Sequence, residues 1–239
     1  MKIPLIVWIA AWGQLVPLAA ALARPRVLRE ARLGVAVWLF LMILMDAVSW
    51  TWSIGLGRGN NHWVSFAFVP FQGVAVLWAI ALWQVRPLLR LTLRLCVPLL
   101  LIWWAVDIAL LEPTDTFSGI GSPVNNILIL AASMLTLATR ARDTDAPLLR
   151  QDWLWILAGL AIFFATNASV TIVQGASIAS GDYALAIRAG NLKAALDICA
   201  YLLLTGGFLW APRLTSSGDS SSRAPSPPSS PSSPSWRPS

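Results

Sequence analysis

Four ionisable side chains stand inside otherwise apolar stretches of the chain: Asp46, Asp107, Lys193 and Asp197. An Asp or Lys at the centre of a membrane helix costs ~2.5–3.5 kcal/mol on insertion scales, and less towards its ends. Residues kept at that cost mark a pairing or a site. Two chemistries follow from the types present. Carboxyl groups in apolar surroundings can titrate apart and serve as a general acid and a general base. The same carboxyls and ammonium can instead hold a polar ligand. Spacing gathers further groups beside them. Asp46, Ser49 and Ser53 follow i, i+3, i+7; Asn167, Thr171 and Gln174 follow i, i+4, i+7; Lys193, Asp197, Tyr201 and Thr205 repeat every four residues. Each set forms a narrow polar stripe on a mostly apolar helix, and such stripes turn to the bundle interior rather than to lipid. Asn125 and Asn126 add amides where another apolar run begins. The candidate ligand-binding residues are therefore Asp46, Asp107, Asn126, Asn167, Gln174, Lys193, Asp197 and Tyr201. The competing bland role for the amides and hydroxyls is to hydrogen-bond helices together, at around 0.6 kcal/mol each. Three carboxyls exceed what such glue requires.

The elements that must position these groups are membrane helices. The chain is 57% hydrophobic and 12% charged, about half the charge of a soluble domain, so most of its surface has to face lipid. Fourteen Trp residues agree, because Trp favours the headgroup level. A bilayer core of ~30 Å needs about 20 apolar residues. Seven stretches meet that need, at approximately 3–23, 33–56, 63–85, 95–111, 124–139, 153–176 and 191–210. The expected fold class is all-α: a polytopic seven-helix bundle over 1–213, with short loops joining sequential antiparallel neighbours. From 215 onward 18 of 25 residues are Ser or Pro, too few apolar groups to order the segment, so 214–239 is expected to be a disordered cytoplasmic tail. Pro17, Pro70 and Pro98 fall inside spans and are expected to kink them.

Basic residues give the bundle a direction. Of the 17 Lys and Arg, 13 lie in the first, third and fifth loops and the tail: Arg24, Arg26, Arg29, Arg32, Arg86, Arg90, Arg94, Arg140, Arg142, Arg150, Arg213, Arg223 and Arg237. Only Lys2, Arg58, Arg188 and Lys193 lie on the other side. The positive-inside rule then puts the N-terminus outside and the C-terminus in the cytoplasm. Met-Lys followed by an apolar run and Ala19–Ala23 also has the look of a cleavable signal peptide, but the four arginines that follow resist export, so an uncleaved first helix is expected. In this direction Asp46 lies just past the midplane, Asp107 near the outer end of its span, and Lys193 in the first turn of the last span. All four ionisable groups fall in the outer half. There Lys193 meets the unfavourable end of the helix dipole, which calls for a partner, with Asp197 one turn away. The result is an expected polar pocket, open to the outer side and lined by the second, fifth, sixth and seventh spans.

Several functions are disfavoured. The net charge of +6 sits in short loops, so no nucleic-acid partner is expected. His62 is the only His, which removes the seven-helix zinc hydrolases; no metal and no cofactor are expected. A retinal pigment wants its Lys near the middle of the last helix and a counter-ion acid, and the third span has no acid. Trp83–Pro87 and Asp197–Tyr201 lack the receptor signatures, and no Gly-rich phosphate loop is present. Cys96 and Cys199 lie within apolar runs as buried, inert thiols.

Asn60-Asn61-His62-Trp63 with Pro70 seven residues on, Val124-Asn125-Asn126, Asp152-Trp153 and Asn191 together resemble a group of small bacterial seven-helix membrane proteins. That group carries Asn-Asn-x-Trp at the start of the third helix and has no established activity. The resemblance implies the fold and no residue role. The expected function is a non-enzymatic sensor or small-ligand binding or carrier protein of the bacterial plasma (inner) membrane. Its partners would be the bilayer, a small polar or amphipathic ligand, and a membrane or cytoplasmic protein. The alternatives are an intramembrane lipid hydrolase using Asp46 and Asp197, and a structural subunit of a membrane assembly. Sequence does not decide whether the chain is an enzyme.

Overall fold

A computed structural model describes residues 4–210, apart from 58, 115–117 and 146 and the side chains of 178 and 179. Among the described residues, seven helices are long and apolar enough to cross a membrane. The first is split into α1 (Leu5–Gly13) and α2 (Leu15–Leu22). The others are α3 (Ala31–Trp50), α4 (His62–Trp83), α5 (Pro87–Val106), α6 (Gly121–Arg142), α7 (Asp152–Ala179) and α8 (Tyr183–Trp210). α3 and α5 each end in a π-helical turn, Thr51–Gly55 and Asp107–Leu111. The expected tail, 214–239, lies outside the described residues.

The ends differ from expectation where charge was allowed to stop a helix. The fourth span begins at Pro87 instead of 95 and carries Arg90 and Arg94 in its early turns. Pro at the first position suits a helix start, where its missing N–H costs nothing. The seventh begins at Tyr183 instead of 191, so Lys193 is its eleventh residue and not in its first turn. That corrects both the dipole penalty and the depth used above against a retinal-type lysine. The remaining ends move by three residues or fewer.

The prolines also separate. Pro17 cannot donate to the Gly13 carbonyl, and the first span breaks at Gln14 just beside it. Pro70 and Pro98 lie within uninterrupted helices. At Pro70 the reason is visible: the Phe66 carbonyl that it leaves without an intrahelical donor accepts the indole N–H of Trp104 at 3.0 Å. A neighbouring helix has replaced the lost bond, as the apolar medium demands.

The apolar core lies towards the arginine-rich end, around Trp38, Leu77, Ile129, Leu157, Leu160 and Leu204. α7 and α8 make the most extensive helix pair. Glycine allows it: a Cβ on Gly159 would stand 2.9 Å from the Ala200 carbonyl oxygen, and one on Gly207 3.1 Å from that of Asp152. Close backbone approach at small residues is how helices gain contact when lipid offers no hydrophobic drive. α5 is peripheral, exposing Leu88, Leu91, Leu95, Leu99 and Ile102 along one face. Cys199 is exposed and Cys96 half-buried. The expectation of two buried thiols is therefore corrected, since Cys199 sits on the outer face of α8, next to Ala200 and Tyr201, which face inward.

Polar groups knit the arginine-rich end. Arg32 Nε donates to Asp152 Oδ2 at 2.5 Å, and a second nitrogen of Arg32 reaches the same oxygen. The Gln84 amide donates to Thr136 Oγ1 at 2.9 Å and accepts from Thr139 Oγ1 at 3.1 Å. Arg140 donates to the Trp83 carbonyl at 2.8 Å and stacks 4.9 Å from the Trp153 ring. Asp152 opens α7, where the helix dipole favours an acid.

Candidate functional site

At the opposite end the helices part around a cavity of about 360 Å³. Six of the seven spans line it; α5 does not. It is lined from the starts of α4 and α6, at His62 and Ser122, to Gln14, Met42, Gln72 and Tyr201. His62 to Gln72 is ten residues of helix, or ~15 Å at 1.5 Å per residue, about half a bilayer core.

Asp46 of α3 reaches the cavity with its carboxyl group held by Gln14, whose Nε2 donates to Oδ2 at 2.7 Å. Gln14 is the residue at which the first span breaks. The proline that stops α1 thus sets the amide opposite Asp46. On α8, Lys193 Nζ donates to Asp197 Oδ2 at 2.5 Å, the i, i+4 pair expected from sequence. The ammonium also lies 5.5 Å from the Phe163 ring centroid, and Tyr201 packs against that ring at 6.0 Å. Asp197 is 5% exposed, and its Oδ1 has no hydrogen-bond partner among the described residues. An orphaned carboxylate oxygen in a buried wall is an acceptor waiting for a donor.

Of the sequence candidates, Asp46, Asn126, Asn167, Lys193, Asp197 and Tyr201 come together in this wall. Asn167 donates back to the Phe163 carbonyl at 2.9 Å, one turn earlier. Gln174 is not in the wall; its amide lies beside Gly190, near the rim. Asp107 is elsewhere altogether. It is fully buried in the π-turn ending the fourth span, beside the Glu112 carboxyl group and with Oδ2 close against Gly121. Beside this turn Glu112 accepts from Ser118 Oγ at 2.8 Å and from the backbone N–H of Gly119 and Ile120 at 2.6 and 2.7 Å, which ties down the loop before α6. Asp107 therefore belongs with Glu112 to the closure before α6, and it does not line the cavity.

The second, fifth, sixth and seventh spans all contribute to the cavity, and the first and third were not expected. Gln14 and Gln72 are what sequence reading missed. Gln14 is the only polar residue in the apolar run 3–23, three positions before a proline, and that isolation was the available signal. Gln72, two residues past Pro70, donates to Met45 Sδ at 3.4 Å.

The Asn-Asn-His-Trp motif has a local structural job. Asn60 Oδ1 accepts from the His62 N–H at 3.0 Å, and the Asn60 carbonyl accepts from Trp52 Nε1 at 2.8 Å. Asn61 donates to Ser49 Oγ, and Trp63 meets Trp52 edge-on at 5.2 Å. The motif fastens the start of α4 to the end of α3 and so fixes the cavity's rim.

Among the described residues no group of three or more His, Cys, Asp or Glu could hold a metal ion. Fold and site together describe an all-helical chain compatible with a multi-pass membrane protein, with an internal polar cavity at the arginine-poor end. Compared with protein families, with curated proteins and with solved structures, the chain matches none.

Proposed function

We propose that this chain is a plasma-membrane protein, N-terminus outside and C-terminus cytoplasmic, that binds a small polar or amphipathic ligand from the outer side without transforming it. One observation carries this reading: the cavity of about 360 Å³ has an unpartnered Asp197 oxygen in its wall. Its size lies in the ligand-pocket range of ~300–1,000 Å³, and apolar walls with a few convergent polar groups are the usual design of a binding site. The orientation is supported by the concentration of arginine at the other end. Sensing or carriage then requires the bound state to be passed on, through the basic loops or to a partner protein.

A lipid hydrolase using Asp46 and Asp197 is the second reading, supported by both carboxyl groups lining one cavity. Against it, each acid already has one oxygen engaged, by Gln14 and by Lys193. The test is a thermal-shift screen of the purified full chain in phosphatidylcholine nanodiscs, since a ligand of the native state raises its apparent stability. Small polar amines should raise Tm for the parent chain and not for Asp197→Asn. If no polar solute shifts Tm, or if shifts persist in Asp197→Asn, the cavity is not the binding site. Release of fatty acid from phospholipid, abolished by Asp46→Asn, would decide for the hydrolase.

A further inference from the structure

The Gln14–Asp46 hydrogen bond is a partition between two hollows. On its inner side lies the polar cavity. On its outer side a second hollow of about 260 Å³ opens between the first and second spans, lined by Trp12, Leu15, Ile43, Ala47, Trp50 and Thr51, with Gln14 and Asp46 closing its back. Ala11, Gln14 and Asp46 belong to both linings. Apart from those two side chains and the Thr51 hydroxyl, the outer hollow is apolar and aromatic. It lies on the surface: Trp12 is 57% exposed, and Ala47 and Thr51 are exposed.

The packing explains why a gap exists there. α1 is seated on α8, whereas α2 packs on both α8 and α3. Above the break at Gln14, the first span meets the second through ring edges, Trp8 and Trp12 lying 5.2 and 6.1 Å from Trp50. The break set by Pro17 is thus at the level of the partition.

Charge states what would pass. The cavity wall holds two aspartates, Asp46 and Asp197, against one lysine, Lys193, which is already paired to Asp197. Asp197 Oδ1 still lacks a donor among the described residues. A cationic head bearing N–H groups complements both features, and the Phe163 and Tyr201 faces suit a cation as well. A head in the cavity and an alkyl chain in the outer hollow together occupy both spaces.

We propose that the gap between the first and second spans is a lateral portal, closed by the Gln14–Asp46 hydrogen bond, through which a single-chain amphiphile with a primary-ammonium head enters from the bilayer. The head lodges between Asp46 and Asp197, and the chain lies against Trp12 and Trp50. This rests on the ligand-binding reading above, and supplies its ligand class and its route.

The experiment uses the full chain in phosphatidylcholine proteoliposomes and a dodecylammonium probe carrying a mid-chain diazirine, with photolabelled residues mapped by mass spectrometry. Labelling is expected to concentrate on 11–15 and 43–51. Roughly a tenfold excess of unlabelled dodecylammonium should reduce it at least fivefold, and the same excess of dodecanoate or dodecanol should not. Ala47→Trp, which fills the hollow from the lipid side, should reduce it about tenfold. Trp12→Ala, which widens the hollow, should retain it and extend it to new positions. Labelling spread over all lipid-facing helices, equal competition by dodecanoate, or full labelling of Ala47→Trp would each overturn the portal. Water-soluble n-butylammonium separates the two levels. If it raises Tm in the parent and not in Asp197→Asn while the photoprobe fails, the cavity binds amines and the portal is wrong. If it also fails, both readings fall.

Discussion

The two ends of this bundle use the same kinds of polar side chain to opposite effect. At the arginine-rich end Gln84 uses both atoms of its amide, Asp152 takes both arms of Arg32, and Arg140 reaches a backbone carbonyl and an indole face. Four helices, α3, α4, α6 and α7, are tied there, and the core around Trp38 and Leu157 is packed beneath them. At the other end Asp46, Asp197, Asn126 and Asn167 border a hollow, and one oxygen of Asp197 has no partner among the described residues. Buried polar groups give stability when their partners lie within the chain, and become a site when the partners are missing. Substitutions at the closed end should therefore lower stability and leave binding intact; at the open end the order should reverse.

The strongest way to break that contrast is Arg32→Ala. It leaves Asp152 buried without its cation, and removing one partner of such a pair costs about 3 kcal/mol. Unfolding in mixed micelles should show that loss, while amine-induced Tm shifts survive. An unchanged midpoint would mean that the arginine-rich end is not the stabilising one. Gly159→Ala follows, at about 2 kcal/mol, because its Cβ would meet the Ala200 carbonyl and α7 and α8 would have to separate. The same unfolding measurement checks it. Gln84→Ala breaks two side-chain bonds among buried groups, at about 1–2 kcal/mol allowing for weak coupling in membrane bundles. At the open end, Asp197→Asn should change stability by no more than about 1 kcal/mol, because the substitution leaves Lys193 an oxygen to bond and removes an unsatisfied acid. It should nonetheless abolish the amine-dependent Tm shift. Smallest is Thr205→Val, whose hydroxyl only returns to the Tyr201 carbonyl; a change within about 0.5 kcal/mol in either stability or binding is expected.

Some of this was legible in order of residues and some was not. The α8 stripe was, because Lys193, Asp197 and Tyr201 share a face by helical period alone, and the short i, i+4 pair follows from local geometry. The start of that helix was not. Arg188 and Asp182 end an apolar run, but a helix can continue past a membrane edge, so hydropathy placed Lys193 two turns too near the end. Asp107 shows a different failure. The sequence put it in the same outer half as Asp46, and nothing in periodicity says that Glu112 and the start of α6 at Gly121 close against it.

By itself, the sequence determined seven apolar lengths, the side on which arginine collects, and which residues share one face of one helix. These depend on bilayer thickness, on the cost of moving charge, and on a fixed 3.6-residue period, all of which act within a single segment. Which faces meet was decided only in three dimensions. That Gln14, freed at a proline break, stands against Asp46 thirty-two residues away depends on how α1, α3 and α8 pack, and small differences among many weak contacts choose that packing. The cavity, and the crevice behind its partition, exist because those helices do not close there.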